Sequence, residues 1–162
     1  MRLVRFLPAV LILAALAGGC SLFEPSAEVL AYETLLQSNA AVTRTQTEQG
    51  DRLPYTVVVR SEAEAAAFVE VYGLAVPLPA VDYDAQSVVG VVGQPGDATA
   101  AVTIIRIELR GHALDMQAHY DGEVRPGTDG PIPVHLVVTP RLTPRLLYPV
   151  GVAFTYGPVA GR

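Results

Sequence analysis

The chain has no tryptophan, no lysine and a single cysteine in 162 residues. With lysine missing, all eleven basic residues are arginines, and sixteen acidic residues outnumber them. The formal charge of −5 argues against the basic footprint that nucleic-acid binding needs. The same absence removes the residue that a Walker-type loop places on phosphate. One cysteine cannot make an internal disulfide, so the fold must rest on core packing. Long apolar runs are scarce as well: residues 6–17 form one run of 12, too short for a bilayer, which takes about 20. Internal repeats, coiled-coil heptads and acidic runs are absent.

What is present begins with an address. Residues 1–20 read MRLVRFLPAVLILAALAGGC. Arg2 and Arg5 precede the apolar run, and small residues then lead to Cys20, the pattern of a secretory leader. The end of it resembles a bacterial lipobox, with Ala17 where leucine is usual and Leu16 one step earlier. The reading is a leader over residues 1–19, lipid attachment at Cys20, a tether over residues 20–27 and one domain over 28–157. Ordinary secretion by an A-x-A cut at Ala15-Leu16-Ala17 is the rival; it would leave Cys20 as an odd thiol in an oxidising compartment. The lipobox implies membrane attachment through Cys20 in a bacterial cell envelope. Ser21 after the cysteine favours the periplasmic face of the outer membrane in a diderm host. Without Arg2 and Arg5 the rest carries nine arginines against sixteen carboxylates, a more acidic surface.

Glycine and proline make up one residue in six, which favours many turns and short strands. Residues 29–36 (VLAYETLL) are ambiguous between strand and helix, and residues 37–54 read as polar and irregular. YTVVVR at 55–60 reads as a strand. Ser61 with Glu64 forms a capping box, and Ala65, Phe68, Val69 and Tyr72 recur as one stripe, so a helix is expected over about 62–72, stopped by Gly73. Residues 87–92 read as an apolar strand. Thr103, Ile105, Ile107 and Leu109 alternate with Ile104, Arg106, Glu108 and Arg110, mostly one apolar face, and Leu114, Met116, Ala118 and Tyr120 alternate with polar residues, which makes a hairpin. A two-residue turn at Gly111-His112 would set Glu108 against Asp115; a four-residue loop sets Arg110 there instead, and attraction favours the longer loop. After a loop over 121–133, strands are expected from Val134 and again over 150–156. The sum is an α+β, mainly antiparallel β domain: one helix on a sheet or partly open sandwich of about six or seven strands.

The chemical motifs are thin. Gly90, Gly93 and Gly96 follow an apolar run as in a phosphate loop, but a strand follows them instead of a helix, and Asp97 adds negative charge, so no nucleotide is expected. His112, His119 and His135 lack zinc spacing, and His135 is expected to face solvent or an edge. Asp82, Asp84 and Asp97 lack the calcium-loop pattern, and no metal or other cofactor is expected. Ser87, His119 and Asp82 could be written as a triad, but no G-x-S-x-G elbow is present, and Ser87 reads as a solvated strand-end serine. Asp82 reads as a turn former before Ser87.

The segment order resembles the C-terminal domain of the protease complex subunit PrcB family. Val81-Asp82-Tyr83 looks like its V-D-F motif, residues 88–93 like its apolar strand and turn glycine, and PVHLVVTP at 133–140 like its P-x-H-x-V-x-x-P segment. The likeness spans about residues 29–157. With Gly93 on the turn glycine, the family's T-G-G-Y falls on DATA at 97–100, without its glycines and aromatic. The resemblance implies an extracytoplasmic accessory domain, often on a lipoprotein, associated with a secreted protease complex and without catalysis of its own. The expectation is therefore a non-enzymatic, protein-binding lipoprotein. Loops 94–99 and 123–133 are the expected contact surface, with Asp82, Gly93, Gly96, Asp97, Thr99 and His135 as candidate partner-binding residues. A structural envelope protein without a specific partner is the alternative, and a small hydrolase using Asp82 or His119 a further one.

Overall fold

The computed structural model describes residues 26–42, 55–123, 130–143 and 150–157. Cys20 and the leader lie outside the described residues. The elements are β1 (Ala27–Val29), β2 (Glu33–Val42), β3 (Tyr55–Val59), α1 (Glu62–Tyr72), β4 (Gln86–Val92), β5 (Ala101–Arg110), β6 (Ala113–Asp121), β7 (Ile132–Pro140) and β8 (Val150–Tyr156). They form two four-stranded sheets, ordered β1-β5-β6-β8 and β2-β7-β4-β3. The class is the expected one, mainly antiparallel β with one short helix.

Three layers follow from the side-chain alternation of β4 and β7. Val89, Val91 and Val137 face the first sheet and pack with Val102, Ile104, Ile107, Leu114, Met116, Ala118 and Tyr120. Val88, Val92, Ile132, Val134 and Leu136 face the other way and pack with Val57, Val59 and Phe68 of α1. Both strands are thus buried on both faces, which is why β4 reads as an almost unbroken run of valines. The helix begins as the capping box requires: Ser61 Oγ accepts from Glu64 N–H at 3.2 Å. The Glu64 carboxylate reaches one residue further back than the motif predicts, to Arg60 N–H at 2.7 Å. Gly73 ends it at φ 59°. Only Phe68 of the expected stripe is fully buried, so α1 is a thin cover.

Several expectations need correction. The 29–36 ambiguity resolves into two strands: Ala27 already pairs in β1, and β2 runs on through the stretch read as irregular, as far as Val42. Its register shifts between Thr34 and Leu36 and between Ser38 and Val42 erase any two-residue period, so the sequence carried no strand signal there. β7 starts two residues earlier than expected.

The β5–β6 hairpin turns through Gly111 and His112 alone, with Arg110 paired to Ala113 and Glu108 opposite Asp115. Gly111 at φ 58° supplies the positive angle of a II′-type turn. The repulsion that argued against this register is met within β5. Arg106 Nε donates to Glu108 at 2.6 Å and Arg110 donates at 2.7 Å, while Arg110 also lies 3.7 Å from Asp115. These contacts hold the Glu108 carboxyl below its ordinary pKa, first through the hydrogen bonds from Arg110 and Arg106. A bulge between Ile104 and Arg106 breaks the alternation, so Ile104 and Ile107 point inward and Ile105 is 50% exposed. Finally, β8 pairs with β6 in parallel. The chain passes through β7 in the other sheet between them, so β8 returns in the direction of β6.

Candidate functional site

The three glycines have one physical cause, and it is close packing. A Cβ on Gly90 would overlap the Leu136 side chain. On Gly93 it would stand 2.9 Å from Pro133 Cγ and 3.0 Å from the Tyr120 ring. On Gly96 it would stand 2.5 Å from Ala100 Cβ and 2.6 Å from the Tyr120 hydroxyl. None of the three has a positive φ. Neighbouring atoms occupy the space a side chain would need, far inside normal contact distance.

Between Gly93 and Ala100 the loop is fastened along its length. Gly93 N–H donates to Pro133 O at 2.8 Å, Gly96 N–H to Pro131 O at 3.0 Å and Asp97 N–H to Glu123 O at 3.3 Å. The buried Tyr120 hydroxyl donates to Gln94 O at 2.8 Å. Burial, with the charge of Asp97 and the nearby Tyr156 adding to it, pushes the Tyr120 pKa up to about 12, so it stays a donor. Asp97 Oδ1 accepts from Thr99 N–H at 2.8 Å and Thr99 Oγ1 at 2.7 Å, an Asx turn. Asn39 Nδ2 ties Ala98 O to β2 at 2.7 Å. The N–H groups a phosphate loop would aim at a ligand are therefore turned inward, and the strand β5 follows where a helix would be needed.

The loop's tip remains outside: Ala98 and Thr99 are exposed, while Gly93 and Gly96 are buried and Asp97 is half-buried. Beside the tip lies an open groove of about 370 Å³ lined by residues 37–39 and 99–102. Gln37 crosses its floor, donating to Val102 O at 3.1 Å and Thr103 Oγ1 at 2.8 Å.

The remaining predicted residues are elsewhere. Asp82 is exposed at the opposite end of β4. It forms the expected turn, accepting from Asp84 N–H through its side chain at 3.1 Å and from Gln86 N–H through its carbonyl at 2.8 Å. His135 is the main correction among the site residues. It does not face solvent but is 2% exposed between the sheets, because odd-numbered β7 positions point at the first sheet. Its Nδ1 accepts from Ile104 N–H at 2.8 Å, and its Nε2 meets Thr34 Oγ1 at 3.0 Å. Ser87 is likewise buried, its Oγ accepting from Leu142 N–H at 2.9 Å. His119 is on the first sheet, bonded to Thr155 Oγ1 at 2.9 Å and to the Gly157 carbonyl. Ser87, His119 and Asp82 each have their own separate partners and do not meet. Among the described residues no group of three or more His, Cys, Asp and Glu side chains is placed to hold a metal ion.

Sequence reasoning overlooked Tyr120, Gln37 and Asn39. Tyr120 closes the apolar alternation of β6 two residues before Gly122, which marks an anchor at a strand end. Gln37 and Asn39 carried no signal, since the strand that presents them was itself hidden. No protein-family model, curated protein or solved structure matches the chain.

Proposed function

We propose that the protein is a non-catalytic, protein-binding module of the bacterial cell envelope, anchored through lipid on Cys20, with its contact surface at the tip of loop 94–99 and the adjoining groove. The observation that carries this reading is the rigid display of Ala98 and Thr99 beside the polar groove. A loop held this tightly loses little conformational freedom when a partner docks, so the cost of ordering it is already met in folding. The lipobox-like leader supports the anchor. The PrcB resemblance supports a secreted protease as the partner class, although its PVHLVVTP segment is the central strand β7, whose residues are mostly buried. The separate engagement of Ser87, His119 and Asp82 supports a role without catalysis.

The test is affinity capture of the full-length chain from solubilised membranes, read by mass spectrometry and stoichiometry. One stoichiometric protein partner is expected, lost with Ala98→Arg or Thr99→Arg and kept with Asp82→Arg at the far end of β4. Equal loss with all three, or no stoichiometric partner, overturns the assignment of the surface; the second result favours a structural envelope role. Radiolabelled palmitate that still enters Cys20→Ser overturns the anchor.

A further inference from the structure

Along one side the two sheets are stitched together by side chains. β1 pairs with β5 only at residues 108–110, and the last backbone bond there runs from Leu30 N–H to Ile107 O at 3.0 Å. The chain then crosses to the second sheet. Above that point the edge of β5 has no strand neighbour among the described residues, and three side chains serve it instead. Tyr32 Oη donates to Ile104 O at 3.0 Å, Gln37 to Val102 O at 3.1 Å, and His135 Nδ1 takes Ile104 N–H at 2.8 Å. Of the three, only a histidine ordinarily changes charge near neutral pH.

We propose that His135 is an acid-released strut: proton uptake by its imidazole breaks the tie between β7 and β5 and opens the seam between β2 and the upper half of β5. The ring fits in one form only. Since Nδ1 accepts from a backbone N–H, Nε2 carries the hydrogen and donates to Thr34 Oγ1 at 3.0 Å. An arriving proton must take Nδ1, which turns the acceptor into a donor aimed at another donor. Two N–H groups cannot stay 2.8 Å apart nose to nose, so either the ring or the β5 edge moves.

Nothing around the ring offsets the charge. On β2 its neighbours are Thr34 and Gln37, and the charged Glu33 is exposed. Opposite on β4 stands Val91, and neither β4 nor β7 contains a charged residue. On β5 the nearest charge in sequence, Arg106, is exposed and bonded to Glu108. Tyr32, the other ionisable group at Ile104, donates to the carbonyl and not to the ring. Burial holds the His135 pKa below its ordinary 6.5 in the closed form. The sign follows: the tie is complete above the ordinary value and fails as pH falls below it, because the open form binds the proton better. The seam that opens borders the groove that Gln37 helps to line. The proposal itself needs no partner and does not rest on the binding reading.

Amide hydrogen exchange and ring ¹⁵N shifts of the full-length chain in detergent micelles test it. Corrected for intrinsic rate, protection of the Ile104 amide is expected to fall at least about tenfold between about pH 7.5 and about pH 5, in step with His135 titration. His135→Asn keeps an acceptor near the Nδ1 position and cannot titrate, so its Ile104 protection should not vary with pH. His135→Gln reaches toward Thr34 instead and should leave Ile104 exchanging fast at both pH values. Unchanged wild-type protection across the range overturns the proposal, as does a full pH response in His135→Asn. If neither variant folds, the wild-type comparison decides: Ile104 opening that does not track the His135 ring shift sinks it.

Discussion

β4 and β7 separate two packed layers that hold different chemistry. On the helix side the buried residues are all apolar: Val42, Val57, Val59, Phe68, Val88, Val92, Ile132, Val134 and Leu136. Between the sheets the same two strands also bury Ser87, His135 and Thr139, each in a hydrogen bond. The difference follows from what lies opposite. A helix satisfies its own backbone and asks nothing of the layer beneath it. The first sheet offers the unserved edge of β5, and the chain after β7 offers Leu142 N–H; polar side chains serve both. One strand can thus be greasy on one face and selectively polar on the other, and the two faces should fail differently when altered.

The largest effect is expected on the helix side. Phe68 is the only fully buried residue of α1 and packs at a tilt against Tyr72, ring centroids 4.9 Å apart. Phe68→Ala should cost about 3–5 kcal/mol in urea unfolding, the usual range for an emptied aromatic site. A loss under about 1 kcal/mol would mean that α1 is not a stabilising cover and that the helix-side layer stands without it.

Ser87 and Val88 then allow the contrast to be drawn between adjacent residues on opposite faces. Ser87→Ala removes the acceptor of the buried Leu142 N–H, and about 1–3 kcal/mol should be lost. Val88→Thr places a hydroxyl in the all-apolar layer with nothing to bond, and the expected loss is again about 1–3 kcal/mol. The polar group is needed on one side and unwelcome on the other. A neutral Val88→Thr would break the contrast.

A third surface, the outer face of the first sheet, should respond only to acid. Glu108 has a lowered pKa, so its pairing with Arg106 and Arg110 contributes stability above the ordinary 4.5 and loses it as pH falls through the lowered value. Urea midpoints taken through that window should drop more steeply in the wild type than in Glu108→Gln. Parallel curves would show that the arginine pairs are screened and contribute nothing measurable.

Where the sequence spoke clearly, it did so through patterns that a single face imposes. β6 alternates because one side is buried, and α1 was marked by Ser61, Glu64 and Gly73. β2 was hidden because two register shifts scramble its alternation, and β5 was half misread because its bulge reverses the phase at Ile105. His135 was placed outside although its neighbours Val134 and Leu136 are core. In a strand buried on both faces, alternation with core residues leads to a second core and not to solvent. The hairpin register failed for a related reason: cross-strand charges were counted, while two arginines flanking Glu108 on its own strand were not. The loop at 93–100 joins two strands, as its sequence suggests, but its anchor Tyr120 and its neighbours Gln37 and Asn39 depend on contacts between segments far apart in sequence.

The smallest effect should come from Thr139, which pairs with Ser87 across β4 and β7. Both hydroxyls are buried between the sheets, yet they do different jobs. Ser87 accepts from a backbone N–H that has no other recorded partner among the described residues, so its removal orphans a donor. Thr139 only donates, at 3.4 Å to Ser87 O and 3.1 Å to Pro140 O, and carbonyls tolerate a lost donor better than buried N–H groups tolerate a lost acceptor. Thr139→Val keeps the shape, swaps the hydroxyl for a methyl against mostly apolar neighbours, and should change stability by less than about 0.5 kcal/mol. Measured beside Ser87→Ala, it separates a polar group the layer requires from one it merely accommodates. A loss from Thr139→Val as large as that from Ser87→Ala would show that the inter-sheet polar groups act as one coupled network.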